Sequence, residues 1–298
     1  MTFSRYNHAI LFVSFLFLFP QETMANNESM ELSIPSGVLK VDPSGAVSLT
    51  STNPAGMKFE TAPGELWAIA LAPGGNAHKL GHHIGFSSSG MKPRLEKTNG
   101  GVRLVYDRLR HGKQEWNIRV EVDIAAVEDE FRFSAIITNN EKDWTVCWIR
   151  LPVLNRIRGD KDDSRRSVLW PSGLGQKFTS EQFGPSRSFG YPSGYSMQWI
   201  AISGQGMGLY VGCHDRQDSM KNFKLINRKK HFEFSLMHEL YCLPGQTAKM
   251  PATVVMPFEG TWHKAARRYR RWVDTWMPIA KKPDWLRKSS GWMLCIMK

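Results

Sequence analysis

The chain has 298 residues, of which 42% are hydrophobic, and a formal net charge of +12 at pH 7. A positive charge is compatible with nucleic acid, an acidic membrane surface or an acidic polymer as a partner, and the export signal described next argues against nucleic acid. The length exceeds what one ordinary core needs, yet large β-sandwiches reach this size, so we predict one large domain followed by a tail.

The N-terminus carries the pattern of a secretory leader. Arg5 and His8 precede an unbroken apolar stretch over residues 9–20, and a polar passage ends at Ala25. The stretch is roughly 12 residues long, too short for the ~20 residues that a membrane-spanning helix needs. We predict a signal peptide over residues 1–25 and a secreted or periplasmic product, with no membrane contact after cleavage. No Cys stands directly after the stretch, so a lipid anchor is not indicated.

The positive charge belongs to the mature protein, because the leader contributes one Arg and one Glu. The basic residues form short, scattered clusters, which favours solvated faces, and the alternative is a surface for an anionic polysaccharide. The clusters are Arg165-Arg166, Arg228-Lys229-Lys230, Arg267-Arg268 with Arg270-Arg271, and Lys281-Lys282.

Short runs with period-two alternation dominate residues 26–258 and predict β-strands. Residues 37–50 indicate a hairpin, because the sequence Asp-Pro-Ser-Gly at residues 42–45 supplies turn chemistry. The runs Phe131–Ile137 and Trp144–Leu151 predict a second antiparallel hairpin. Further strands are predicted at Glu65–Leu71, Val102–Leu109, Trp116–Val122, Met197–Ser203, Gly208–Cys213, Phe223–Ile226, His231–Met237 and Lys249–Met256.

Strands this numerous, without intervening helices, predict a mostly β fold built as a large antiparallel β-sandwich. Two segments have the composition of long surface loops. Residues 159–166 are charged, and residues 173–194 are rich in Gly, Ser, Pro and aromatic residues.

The pattern changes at Thr261, after which the spacing is helical. We predict one helix from Thr261 to Trp276, with Thr261 as the N-cap and Pro278 as the residue that closes it. The apolar face is expected to pack rather than to bind a ligand. It consists of Trp262, Ala265, Ala266, Tyr269, Trp272, Val273 and Trp276.

No metal ion or cofactor is predicted. The four Cys are compatible with zero to two disulfides, and their spacing does not assign a pairing. His78, His82 and His83 would present two imidazoles on one helical face, but the glycines of this segment disfavour a helix. The acidic loop at residues 160–163 lacks the Gly and the distal Glu of a calcium motif, so a solvated loop is favoured.

Three potentially catalytic residue types follow one another at Cys213, His214 and Asp215. Adjacent strand residues point to opposite faces, so these three do not form a catalytic triad. We predict no catalytic residue in this chain.

Several segments together resemble large secreted bacterial glycosidase-like proteins, in which a galactose-mutarotase-like supersandwich precedes a (β/α)₈ barrel. The similarity is to poorly characterised members, distantly related to α-galactosidase and endo-α-N-acetylgalactosaminidase types, and spans most of the mature chain. Its strongest part is the C-terminal helix, linker and strand. The segments are Tyr191–Trp199, Gly208–Asp215, Phe258–Trp272, Pro283–Leu286 and Gly291-Trp292.

The resemblance implies that the apolar run Gly291–Met297 is the first strand of a barrel that is otherwise missing. Catalytic carboxylates of such enzymes stand at barrel strand ends, so none of them is carried over to this chain. A truncated product is expected. The predicted divisions are a signal peptide at 1–25, a β-supersandwich at 26–258, a bridging helix and linker at 259–290, and a truncated barrel at 291–298.

Exposed aromatic rings can stack on sugars, so Trp170, Tyr191, Tyr195 and Trp199 are predicted carbohydrate contacts, with core packing as the alternative. His214 and Asp215 belong to a resembling segment and are expected at the junction between sandwich and barrel. We predict a non-catalytic module of a carbohydrate-acting protein. The alternatives are a stand-alone envelope protein that binds anionic glycans, and a sandwich with its own mutarotase- or lyase-like activity.

Overall fold

The computed structural model describes residues 28–52, 58–74, 83–158, 166–173, 175–204, 206–277 and 283–288. The predicted signal peptide, the predicted barrel strand, the acidic loop at residues 160–163, His78 and His82 lie outside these ranges. No helix in the described part of the chain is long and apolar enough to cross a membrane.

The described residues form 21 strands and three helices. In chain order the elements are β1 (Met30–Ile34), β2 (Gly37–Val41), β3 (Val47–Thr52), β4 (Lys58–Ala62), β5 (Ala68–Pro73), β6 (Ile84–Ser87), β7 (Arg94–Thr98), β8 (Gly101–Tyr106), β9 (Leu109–His111), β10 (Gln114–Trp116), β11 (Ile118–Val127), β12 (Glu130–Asn139), β13 (Trp144–Arg158), β14 (Ser167–Trp170), β15 (Gln176–Thr179), α1 (Ser180–Phe183), β16 (Ser186–Tyr191), β17 (Trp199–Ser203), β18 (Met207–Cys213), β19 (Lys221–Asn227), β20 (Phe232–Cys242), β21 (Thr247–Glu259), α2 (His263–Asp274) and α3 (Asp284–Lys288).

The prediction of a mostly β, antiparallel sandwich is confirmed. The first sheet runs in the order β1-β2-β3-β4-β13-β20-β19-β16, with β5 and β6 extending from β13. The second sheet runs in the order β15-β14-β17-β18-β21-β12-β11-β8-β7, and β9 and β10 form a separate hairpin. Alternate residues of both sheets meet in one core, where Ile149 of the first sheet and Phe133 of the second are fully buried.

The predicted hairpin at residues 37–50 is confirmed as β2 paired with β3. One carboxylate oxygen of Asp42 accepts hydrogen bonds from the backbone N–H groups of Ser44 at 2.8 Å and Ala46 at 3.1 Å. Gly45 has a φ of 82°, a left-handed conformation that favours glycine. The turn residues therefore fix this connection as the sequence predicts.

The second predicted hairpin is wrong, because β12 and β13 belong to different sheets. Strand β12 pairs with β11 and β21, whereas β13 pairs with β20, β4 and β5. Residues 140–143 carry the chain from one sheet to the other. At this crossover the fully buried Asn139 donates its side-chain N–H groups to the carbonyls of Trp144 at 2.7 Å and Cys242 at 2.9 Å.

The segment at residues 173–194 is more ordered than the predicted loop, because it contains β15, α1 and β16. Thr179 caps α1 with a reciprocal pair of hydrogen bonds to Gln182. Phe183 is 1% exposed and packs against Trp170 at a centroid distance of 5.4 Å. The burial of Phe183 against Trp170 thus holds a segment with the composition of a loop against the sandwich.

Helix α2 confirms the predicted helix, but its first residue is not capped by Thr261. Trp262 occupies the N-cap position without a side-chain cap, and the Thr261 hydroxyl instead lies 3.0 Å from His263 Nδ1. The apolar face packs, as predicted, and the structure places it on the outer side of the second sheet through Ala265, Tyr269 and Trp272.

The described cysteines form no disulfide. Cys147, Cys213 and Cys242 are buried with free thiols, and Cys295 lies outside the described residues. The Cys spacing in the sequence did not assign a disulfide pairing, and the structure shows that these three thiols are unpaired.

Candidate functional site

Of the six candidate site residues that the sequence singles out, Tyr191, Trp199, His214 and Asp215 meet at one end of the sandwich, around Gln198. The Gln198 side chain donates to the Asp215 carbonyl at 2.9 Å and to an Asp218 carboxylate oxygen at 3.4 Å. The Tyr191 hydroxyl donates to that same oxygen at 2.8 Å. We call Tyr191, Gln198, Trp199, His214 and Asp215 the strand-end cluster. The chain leaves β16 and β18 and enters β17 here, which explains why residues distant in sequence are adjacent.

The imidazole of His214 is held between two aromatic side chains. It stacks on the Trp272 ring of α2 with a centroid distance of 4.8 Å and an interplanar angle of 9°. Its Nε2 lies 3.0 Å from the Tyr210 hydroxyl. Burial, reinforced by the positive charges of Arg268 and Arg132, lowers the pKa of His214 to about 2. The ring is therefore neutral at physiological pH and serves as a packing element between the sheet and the helix.

The carboxylate of Asp215 is completely enclosed by donors. It accepts hydrogen bonds from Lys221 Nζ at 2.9 Å and from the backbone N–H groups of Gln217 and Ser219, each at 2.8 Å. Burial alone would raise the pKa of Asp215, but these hydrogen bonds and the Lys221 charge outweigh it and lower the pKa. The side chains of Asp215 and Lys221 are 3% and 0% exposed, so the pair organises the loop from within.

Cys213 completes the consecutive trio of potentially catalytic residue types. Burial raises the pKa of its thiol to about 12, so the sulfur is protonated and a poor nucleophile. The His214 ring points towards α2, and the Asp215 carboxylate is bonded to Lys221 instead. His214 and Asp215 thus have separate partners, and because both follow the end of β18, it is these contacts rather than strand alternation that keep the three side chains apart.

Three of the four predicted aromatic contacts lie in packing positions. Trp170 and Tyr195 are 1% and 3% exposed and contact each other in the core at a centroid distance of 5.1 Å. Trp199 is 4% exposed and stacks on Tyr210 beneath α2. Tyr191 alone among the four is partly exposed. The other three are buried, in agreement with the alternative that they pack in the protein interior, and they offer no open ring face to a sugar.

Residues that the sequence reasoning missed lie on the outer face of the first sheet. Trp148 and Arg150 of β13 are partly exposed there, with the Arg150 guanidinium 4.7 Å from the Trp148 ring centroid. We call the cross-strand row through Arg150 the Arg150 row. It runs from β6 to β16 through Ser87, Ala68, Arg150, Met237, Asn222 and Gly190.

Glu65 adds a carboxyl group beside the Arg150 row. Burial raises its pKa, although a hydrogen bond with Ser87 and the charge of Arg150 act in the opposite direction. An aromatic ring, a guanidinium group, a carboxyl group and the amide of Asn222 thus lie on one face of one sheet. Apolar ring faces and paired donors and acceptors are the groups by which proteins recognise sugars.

A metal centre is not formed by the described residues, in which no three His, Cys, Asp or Glu side chains are grouped closely enough to hold an ion. Of the three histidines considered above, only His83 is described.

Comparison with known proteins gives a likeness in structure without one in sequence. No protein-family model matches the chain, and no curated protein is significantly similar to it in sequence. An alpha-N-acetylgalactosaminidase from Bifidobacterium bifidum, solved with GalNAc, aligns with a TM-score of 0.57 at 12% identity over 83% of this chain. A Geobacillus stearothermophilus alpha-galactosidase aligns with a TM-score of 0.50 at 8% identity over 84% of this chain. The chain spans 39% and 42% of these enzymes, and what it shares with that part of each is the β-sandwich fold.

Proposed function

We propose that this chain is a non-catalytic β-sandwich module of a secreted carbohydrate-processing protein, and that it supports a catalytic barrel. The observation that carries the proposal is its alignment over 83% of its own length with 39% of an alpha-N-acetylgalactosaminidase. The chain is thus similar to a part of a glycosidase. The predicted leader supports export, and the predicted strand at residues 291–297 supports the link to a barrel.

The state of the strand-end cluster supports a structural role. General acid–base catalysis requires a group whose pKa lies near the working pH. His214 has a pKa of about 2, and the Asp215 carboxylate is already paired with Lys221. His214 also joins the sheet to α2 by stacking on Trp272, and α2 leads along the chain to the predicted linker and barrel strand. We therefore assign this end of the sandwich to support of the barrel.

The purified full chain is expected to release no nitrophenol from nitrophenyl α-galactoside or α-N-acetylgalactosaminide above the buffer rate. It is also expected not to accelerate mutarotation of α-galactose in a polarimeter. Activity that co-purifies with the chain and disappears on substitution of a single residue in it would overturn the non-catalytic assignment.

The Arg150 row is where we expect the module to contact carbohydrate. Trp148→Ala removes a ring face and the partner of Arg150, so binding of N-acetylgalactosamine or galactose should weaken about tenfold, equivalent to about 1.4 kcal/mol. Isothermal titration calorimetry measures the change. Trp285→Ala is the matched control, because Trp285 is 71% exposed and lies on α3, whereas Trp148 lies on β13 beside Arg150. Equal losses in the two variants, or no binding by the unmodified chain, would contradict a contact here.

A further inference from the structure

A cleft of about 680 Å³ lies along helix α2. One side is the polar face of the helix, and the other is formed by the end of β21 together with the turn between β1 and β2. The buried face of α2 packs on the second sheet, so the cleft borders the opposite, charged face. It shares no residue with the strand-end cluster or the Arg150 row.

The helical side of the cleft carries four cations: Lys264, Arg267, Arg270 and Arg271. Arg270 is paired with Asp274 at 2.7 Å. The other three are exposed, and within the described part of the chain none has a carboxylate partner within 4.0 Å. Lys264, Arg267 and Arg271 recur at helical spacing and span about 10 Å of the helix axis at 1.5 Å per residue. They form a stripe of unpaired positive charge.

The rest of the cleft combines apolar and acidic groups. Met207, Met256 and Phe258 give it an apolar side. Asp129 and Glu259 also line it, so its four cations exceed its carboxylates by two. Apolar surface opposite a row of cations suits a ligand that has both nonpolar C–H faces and repeated negative charges.

We propose that this cleft binds an anionic polysaccharide, with its carboxylate or sulfate groups directed at Lys264, Arg267 and Arg271. The inference rests on the proposed carbohydrate function and names the substrate class that the charge selects. A single small anion would engage one end of the stripe, whereas a polymer with a charge on successive sugars engages its whole length. The guanidinium groups match carboxylate and sulfate oxygens by paired hydrogen bonds.

The test compares two variants that lose the same charge. Arg267→Gln with Arg271→Gln alters the cleft, and Lys229→Gln with Lys230→Gln alters an exposed turn between β19 and β20 that lines no part of it. Binding to polygalacturonate and to dextran sulfate is measured by biolayer interferometry at low and high salt, with uncharged dextran as a blank. All four side chains are exposed, so circular dichroism should show unchanged folding of both variants.

The unmodified chain should bind at least one of the two polyanions, more weakly as salt screens the charges. The cleft variant should bind at least about tenfold more weakly, a loss of about 1.4 kcal/mol, and the turn variant within about twofold of the unmodified chain. The two probes separate carboxylate from sulfate recognition. Equal losses in both variants, no polyanion binding, or equally tight binding of duplex DNA would overturn the proposal. Retained binding of galactose at the Arg150 row would then leave the proposed function standing.

Discussion

Lys221→Met is expected to lower the free energy of unfolding by about 3–5 kcal/mol, because it leaves the Asp215 carboxylate buried without its cation. Lys221 Nζ lies 2.9 Å from Asp215, and both side chains are at most 3% exposed. The Met side chain fills a similar volume, so the loss measures the uncompensated charge rather than a cavity. Urea denaturation at pH 7, followed by circular dichroism, gives the value.

A partly exposed ion pair in the same sandwich provides the control. Arg103 and Asp123 also form a hydrogen-bonded pair, but their side chains are 35% and 30% exposed. Arg103→Met should therefore cost no more than about 1 kcal/mol. Adding Asp215→Asn to Lys221→Met should recover part of the stability, because the unpaired charge is removed. A Lys221→Met loss no larger than that of Arg103→Met would show that Asp215 does not depend on this lysine.

His238→Leu is expected to make the protein less sensitive to acid. His238 is 1% exposed, and neither ring nitrogen has a hydrogen-bond partner among the described residues. Burial, aided by the charge of Lys221 and opposed by that of Asp215, lowers its pKa to about 3. The unfolded chain binds the proton with a pKa near 6.5, so stability is complete above that pH and falls as the pH drops towards 3.

The expected loss of stability at low pH follows from the proton that His238 takes up in the unfolded chain but not in the folded one. Between pH 7 and pH 4.5 the unmodified protein should lose about 2–3 kcal/mol through His238 alone. The Leu variant should lack this loss and should be at least as stable as the unmodified protein at pH 7, since an unsatisfied buried polar group is removed. Guanidinium denaturation at the two pH values measures both effects. His111→Gln, at an exposed site, serves as the control, and an unchanged acid loss in His238→Leu would refute the assignment.

The fold class was predictable, because alternation and turn residues are local signals. The face on which Trp148 and Arg150 lie was not. Val146 and Ile149 are both fully buried, although they are three positions apart, because the pairing of β13 with β5 and β20 shifts register between Val146 and Trp148. Strict alternation from Val146 would place Trp148 and Arg150 in the core. A bulge turns them outward, and its position depends on partner strands that are distant in sequence.

The strand-end cluster was found from sequence only in part. Tyr191, Trp199, His214 and Asp215 were singled out, but Gln198 and the buried partner Lys221 were not, because their hydrogen bonds depend on how the loop between β18 and β19 folds. Trp199 illustrates a second difficulty. It points away from the core, where a sugar-stacking ring would stand, but α2 covers it. Periodicity gives the apolar face of a helix without showing which outer sheet surface that face will cover.

The attachment of α2 determines how the basic stripe meets a ligand. Arg268 Nε lies 2.5 Å from the carboxylate of Glu130 in a largely buried ion pair, and Trp272, one turn later, stacks on His214. Rotating α2 about its own axis would break both contacts, so the two contacts fix the rotational orientation of the helix. The cations on its opposite face are therefore preorganised. A bound polyanion would restrict side-chain rotamers but would not have to order the helix, which confines the entropic penalty of binding to a few torsions.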